Sequence, residues 1–208
     1  PVYDSFPLIY MILARVNSPT NKLSYPEVLE YNAKIRRHMK RSDKASGNPL
    51  LRTTLDIYFR RALLALHRNF ALEINAPSAF PESYWSSLEC SLAVLMHYRE
   101  LSIAHDDPGT LNVTLGLFMP DLFVAALTVC IHLLQRDAPL AEPAIQEPQP
   151  PPRQTIVETL QSCREIWSRE KNKSICHQKG SAFLDAIVNF VSNTSSTPEQ
   201  LCHSNLLL

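Results

Sequence analysis

The side chains best suited to binding a ligand lie in one strongly apolar stretch, residues 49–72. Arg61 and Arg68 are seven residues apart in it, so in a helix both fall on one edge, between two rows of apolar side chains. Their aliphatic stems would pack while the guanidinium groups need polar partners. Two interpretations stay open. The groups bind helix-end carbonyls or an acid on a neighbouring helix, or they line an effector cavity between helices, where pockets of helical domains usually lie.

The polar residues of the same stretch are predicted to form a strip on the remaining side of the helix. Asp56 and Arg60 are four residues apart and can form an ion pair there. His67 is expected on that strip with them, next to Arg68. The predicted ligand-binding set consists of Tyr58, Arg61, His67 and Arg68.

No constellation in the sequence supports catalysis or metal binding. Asp106-Asp107 precedes Pro-Gly, which is typical of a turn, and no partner acid or base stands at a suitable spacing. Cys176-His177 and Cys202-His203 match no standard zinc spacing. With four glycines the chain has no glycine-rich phosphate loop, and it has no GxSxG motif. We therefore predict no catalytic residue, no metal site and no cofactor in this chain, and no enzyme activity.

One dense basic stretch lies between residues 34 and 44. It is either a solvated helix end, whose cations complement the helix dipole, or a surface that contacts DNA phosphates or an acidic partner. The chain as a whole carries 20 basic and 20 acidic residues, which favours the solvated helix end. The residues of this stretch are Lys34, Arg36, Arg37, His38, Lys40, Arg41 and Lys44.

Length and composition predict one domain, or one and a half, with its own hydrophobic core in 208 residues. The five cysteines form no CxxC pair, and Cys90 and Cys130 stand in apolar stretches, so we expect reduced structural thiols in an intracellular protein. No signal peptide is visible, and the apolar runs are shorter than the roughly 20 residues of a membrane span. We expect a soluble chain without a membrane partner, which begins without Met and is interpreted as a fragment.

The elements that must position these residues are helices. Apolar residues recur at spacings of three and four, and the sequence predicts an all-α, irregular multi-helix domain with a buried central helix pair at about 49–72 and 83–104. Ser24 and Asn48-Pro49 are predicted helix starts. Pro120 is expected to kink a later helix or to begin its second segment.

The domain organisation follows from composition. Residues 1–136 are predicted to form the main helical part, and residues 154–192 the closing helices of the same domain. Residues 137–153 are rich in proline and are interpreted as a linker or exposed loop, and residues 193–208 as a tail.

Two segments of the predicted helix pair, residues 55–70 and 81–93, resemble the middle homology (regulatory) region of fungal zinc binuclear-cluster transcription factors. Asn69 departs from the family pattern, in which proline is common at this position. Weaker similarity in the same order covers most of the chain. The positions that carry the resemblance are Tyr58, Leu64, Leu66, His67, Arg68 and Phe70, followed by Ser86 and Cys90.

The resemblance implies a regulatory, effector-responsive domain of a nuclear, sequence-specific factor that controls RNA polymerase II transcription. In that family the DNA-binding module holds two zinc ions with six cysteines and is N-terminal. This chain has no such cysteine cluster, so zinc and DNA contact are expected only in a module outside it. The expected partners are a small-molecule effector, a second copy of the chain, and the transcription machinery or a corepressor. The alternative hypothesis is a helical protein-interaction scaffold without ligand or catalytic activity.

Overall fold

The computed structural model describes residues 5–20, 22–45, 47–104, 108–134, 152–170, 172 and 175–195. Within these ranges the chain forms eight helices and no strand, which confirms the predicted all-α fold. The helices are α1 (Phe6–Val16), α2 (Tyr25–Ala45), α3 (Pro49–Ala71), α4 (Ala76–Ala79), α5 (Pro81–Ala104), α6 (Pro108–Leu134), α7 (Arg153–Glu170) and α8 (Ile175–Ser195).

The starts of α2 and α3 are set by local side-chain chemistry, as the sequence predicts. Glu27 accepts hydrogen bonds from the backbone N–H of Ser24 at 2.9 Å and from its hydroxyl at 2.8 Å, in the manner of a capping box. Asn48 accepts from the backbone N–H groups of Leu50 and Leu51, and Pro49 occupies the first turn, where its missing donor is not needed.

The central helix pair is α3 and α5, which pack along each other. On one side, α1, α2 and α3 enclose an apolar cluster that contains the fully buried Phe59 and Leu63 together with Cys90 of α5. On the other side, α5 contributes to a larger cluster with α6, α7 and α8, in which Leu95 and Trp167 are buried. Because α5 contributes to both clusters, its position determines how the two halves of the domain meet.

The helix boundaries refine the predicted organisation. Of the two expectations for Pro120, the structure excludes a separate second segment, because α6 runs without interruption through this residue. The short helix α4 lies between α3 and α5. The closing helices extend beyond 154–192, because α7 begins at Arg153 and α8 reaches Ser195. The remainder of the proline-rich segment up to residue 151, and of the tail from residue 196, lies outside the described residues.

An aromatic cluster fixes α8 against α6 and α7. The rings of Trp167 and Phe123 lie 4.8 Å apart, and Phe123 also contacts Phe183 of α8 at 5.7 Å, each pair in an edge-on arrangement. Gly180 of α8 lies beneath these rings. A Cβ atom at this position would stand 2.1 Å from Trp167 Cζ3 and 2.8 Å from Phe123 Cζ. The missing side chain of Gly180 therefore allows the close approach of α8.

Replacing Gly180 with alanine should destabilise the protein. In a helix interior, alanine is more favourable than glycine by about 1 kcal/mol. Displacing two rigid rings from a packed cluster costs about 1–3 kcal/mol or more, and the very short distance to Trp167 places this case at the upper end. We expect the free energy of unfolding, measured with urea, to fall by about 1–2 kcal/mol.

The matched control is Gly47→Ala, because no atom lies within 4 Å of a Cβ built at Gly47. It should leave the urea midpoint of unfolding unchanged or raise it slightly. A Gly180→Ala protein that unfolds at the wild-type midpoint would show that α8 does not need this close contact.

Candidate functional site

Glu89 of α5 joins three helices through its two carboxylate oxygens. Oε2 accepts a hydrogen bond from Arg36 of α2 at 2.7 Å, and Oε1 accepts from Arg60 of α3 at 2.8 Å. The side chains of Arg36 and Arg60 are only 32% and 15% exposed, so these ion pairs are less screened by solvent than ordinary surface pairs. We call the polar side chains connected through Glu89 the ion network. Its members are Asn32, Arg36, Asp56, Arg60, His67, Ser83, Glu89, His97 and Glu100.

One arm of the ion network reaches His67, which is completely buried. Its Nδ1 lies 2.8 Å from the hydroxyl of Ser83, and its Nε2 lies 3.2 Å from Asn32 Oδ1. Because an amide oxygen can only accept, Nε2 donates to Asn32, and in the neutral imidazole Nδ1 then accepts from Ser83. Arg36 also donates to Asn32 Oδ1 at 3.2 Å, which connects His67 to the arginine held by Glu89.

The other arm of the ion network reaches His97 near the C-terminal end of α5. Asp56 Oδ2 accepts from Arg60 Nε, which confirms the predicted pair four residues apart, and lies 2.7 Å from His97 Nε2. His97 Nδ1 lies 3.4 Å from Glu100 Oε2. Asp56 therefore receives donors from its own helix and from α5.

The pKa values of the two histidines of the ion network are shifted in opposite directions. Burial, with the positive charge of Arg36, lowers the pKa of His67 to about 4. Burial also disfavours protonation of His97, but the hydrogen bond to Asp56 and the charge of that carboxylate outweigh it and raise its pKa. His67 is therefore neutral at physiological pH, whereas the protonated form of His97 is favoured by its partners.

A cavity of about 310 Å³ opens between α2, α3 and α5, where Asp56, Arg60 and His97 of the ion network line it. This volume is at the lower end of the range of small-molecule sites. Its apolar walls are formed by Met39, Leu55, Phe59, Ala93 and Met96. Its polar lining comprises Ser42, Asp43, Arg52, Thr53, Asp56, Arg60, His97 and Glu100.

The four residues predicted to bind a ligand point in different directions. Tyr58 is half-buried against α1, with its ring 5.4 Å from that of Phe6. Arg61 forms an ion pair with Asp121 of α6 at 3.2 Å, which agrees with the interpretation that it binds an acid of a neighbouring helix. Arg68 is exposed and borders an open depression at the end of α3.

His67 shares a polar strip of α3 with Asp56 and Arg60, as expected, but this strip is packed against α2 and α5. The His67 imidazole faces inward, where Asn32 of α2 and Ser83 of α5 satisfy both ring nitrogens. Asp56 and Arg60, assigned to the same strip, face α5 and are half-buried. None of the four predicted residues lines the cavity between α2, α3 and α5. Their role in ligand binding stays a prediction.

Sequence reasoning missed the polar side chains of α5 that belong to the ion network. The available signal was the presence of polar residues, Glu89, His97 and Glu100, on the face of α5 that meets α3. This signal could not be interpreted without knowing how α3 and α5 align, because the partners of Glu89 and His97 on α3 are 29 and 41 residues away in the chain.

The basic stretch divides into an inward and an outward set. Arg36 belongs to the ion network, while Lys34 pairs with Glu30 at 2.6 Å on the same helix. Arg37, His38 and Arg41 border a shallow pocket with Leu8 of α1. The side chain of Lys44 lies outside the described residues.

The described cysteines are buried thiols, as predicted for Cys90 and Cys130. Cys90, Cys130 and Cys163 are almost inaccessible, and burial raises the pKa of each to about 12, which makes these thiols unreactive. In the part of the chain that the structure describes, no group of three or more His, Cys, Asp or Glu side chains could hold a metal ion. Cys202-His203 and the side chain of Cys176 lie outside that part.

Among the described helices, none combines the length and the apolar character needed to cross a membrane.

The chain matches no family model, no curated protein and no solved structure. Proposals about its function therefore depend on its own residues and their geometry.

Acid should destabilise the protein through His67. An imidazole in the unfolded chain has a pKa near 6.5, whereas that of His67 in the folded chain is about 4. Between these values the unfolded state binds more protons, so stability falls as the pH is lowered from about 6.5 towards 4, by up to about 3 kcal/mol from this residue. Urea unfolding at pH 7 and pH 4.5 measures the loss.

His67→Gln removes the titrating ring and should lose less stability than the wild type between these two pH values. His38→Gln, which removes an imidazole outside the ion network, should keep the wild-type dependence. If His67→Gln and the wild type lost the same free energy of unfolding, the buried neutral state of His67 would be contradicted.

Proposed function

We propose that this chain is the effector-responsive regulatory domain of a sequence-specific transcription factor that acts in the nucleus on RNA polymerase II transcription. The observation that carries the proposal is the cavity between α2, α3 and α5, which is lined by Asp56, Arg60 and His97 of the ion network. A molecule bound there would contact side chains that hold three helices together. Its binding free energy would therefore be linked to the arrangement of those helices.

Five of the eight positions behind the family resemblance support the proposal by their location. Leu64, Leu66, His67, Ser86 and Cys90 are all buried. Leu64, Leu66 and Cys90 belong to the apolar cluster of α1, α2 and α3, His67 binds Ser83 of α5, and Ser86 accepts from Arg36. These positions thus pack the central helix pair that forms two of the three walls of the cavity.

The proposal assigns DNA binding and zinc to a module outside this chain. The chain itself would transmit the state of the cavity to the transcription machinery or to a corepressor, either alone or as a homodimer. No catalytic step is part of the proposed function.

A scaffold that binds a partner protein without a ligand is the second candidate. It is favoured by a row of exposed apolar side chains on one strip of α6, namely Val124, Leu127 and Leu134, which are 42–49% exposed. In this alternative the cavity has no functional role, and filling it would leave function unchanged.

The proposed function is tested by a reporter in fungal cells. The chain is fused to a heterologous DNA-binding domain and an activation segment, and Ala93 in the cavity wall is replaced by leucine to fill the space. We expect the wild-type chain to change reporter output relative to a fusion without it. Ala93→Leu should shift that effect roughly fivefold or more, the lower end of ordinary allosteric coupling.

Ala186→Leu, the same substitution at an exposed position of α8, is the matched control and should behave like the wild type. Thermal unfolding of both purified variants shows whether they fold. Equal reporter output with and without the chain would contradict a regulatory role. A regulatory effect that is insensitive to Ala93→Leu but lost in Leu127→Lys would favour the scaffold.

A further inference from the structure

The walls of the cavity between α2, α3 and α5 select the apolar part of a ligand. Phe59 and Leu55 are buried at its base, while Met39 and Met96 flank it from α2 and α5. Methionine side chains are flexible and polarizable, so they adapt to an aromatic or aliphatic group. A volume of about 310 Å³ accommodates one ring or a short hydrocarbon chain.

The charges around the cavity disfavour an anionic ligand. Three carboxylates line it, from Asp43, Asp56 and Glu100, against two arginines. Both arginines already bind carboxylates: Arg52 lies 3.3 Å from Asp43, and Arg60 binds Asp56 and Glu89. With His97 neutral the lining therefore carries one excess negative charge, and with His97 protonated it carries none.

Two carboxylates among the residues that line the cavity keep acceptor capacity. Both hydrogen bonds of Asp56 are made by Oδ2, which leaves Oδ1 available as an acceptor. Glu100 contacts His97 through Oε2 at the long distance of 3.4 Å, and its side chain is 63% exposed, so it can turn towards a ligand. An ammonium group has three donors and no acceptor, which matches a site of this kind.

We infer that the cavity binds a small amphiphilic amine, with the ammonium group between Asp56 and Glu100 and the hydrocarbon part against Phe59 and Met96. This inference rests on the proposed function, since it names the chemical class of the effector for the same cavity. The excess negative charge that the lining carries beside a neutral His97 favours the amine over a neutral alcohol of the same shape, and both over a carboxylate.

Three probes of matched size test the inference on the full 208-residue chain: 2-phenylethylamine, 2-phenylethanol and phenylacetate. Calorimetric titration should show the amine binding at least roughly tenfold more tightly than the alcohol, with no binding of phenylacetate. Binding of the amine should also raise the melting temperature of the protein, because the ligand stabilises only the folded state.

Two variants locate the binding. Glu100→Gln, at an exposed position, should weaken binding of the amine roughly tenfold and leave binding of the alcohol unchanged. Glu165→Gln, an exposed glutamate on α7, is the matched control and should bind the amine like the wild type. Ala93→Leu should abolish binding by filling the cavity.

Each contrary outcome has a distinct meaning. Equal or tighter binding of phenylacetate or 2-phenylethanol would overturn the amine class and leave the cavity as an effector site. Binding of the amine that survives Ala93→Leu would place it elsewhere and overturn the inference. If none of the three probes binds, the inference fails, while the proposed function is decided separately by the reporter outputs of the wild-type chain and of Ala93→Leu.

Discussion

The two arginine contacts of Glu89 are the interaction on which the arrangement of the domain depends. Apolar packing places α5 between two hydrophobic clusters, but the hydrophobic effect is non-directional. The bonds from Arg36 and Arg60 add a directional constraint, because each oxygen of one carboxylate is taken by a different helix. These pairs are partly exposed, so their contribution lies more in specifying the arrangement than in raising total stability.

The ion network also gives the cavity its proposed regulatory character. Asp56, Arg60 and His97 line the cavity and belong to the network at the same time. Any ligand that draws hydrogen bonds from these side chains changes the interactions between α2, α3 and α5. The network then extends through Glu89 and Arg36 to the interior, where His67 joins α2 to the start of α5.

The sequence predicts those features that depend on residues close together in the chain. The helical form of α3 and of α5, the caps at Ser24 and Asn48 and the pair of Asp56 with Arg60 all involve residues at most four positions apart. The burial of His67 was not predictable in this way. Its partners lie 16 and 35 residues away, and an isolated helix offers no reason to prefer an inward imidazole over a solvated one.

The most direct test of this account is a double-mutant cycle between the two arms of the ion network. His67 and Asp56 are 11 residues apart on α3, or about 16 Å along the helix axis, a separation at which mutational effects are normally additive. The free energy of unfolding of His67→Gln, Asp56→Asn and the double variant should show a coupling above about 0.5 kcal/mol, because Arg36, Glu89 and Arg60 connect the two sites. Additive effects would contradict the claim that the network acts as a unit.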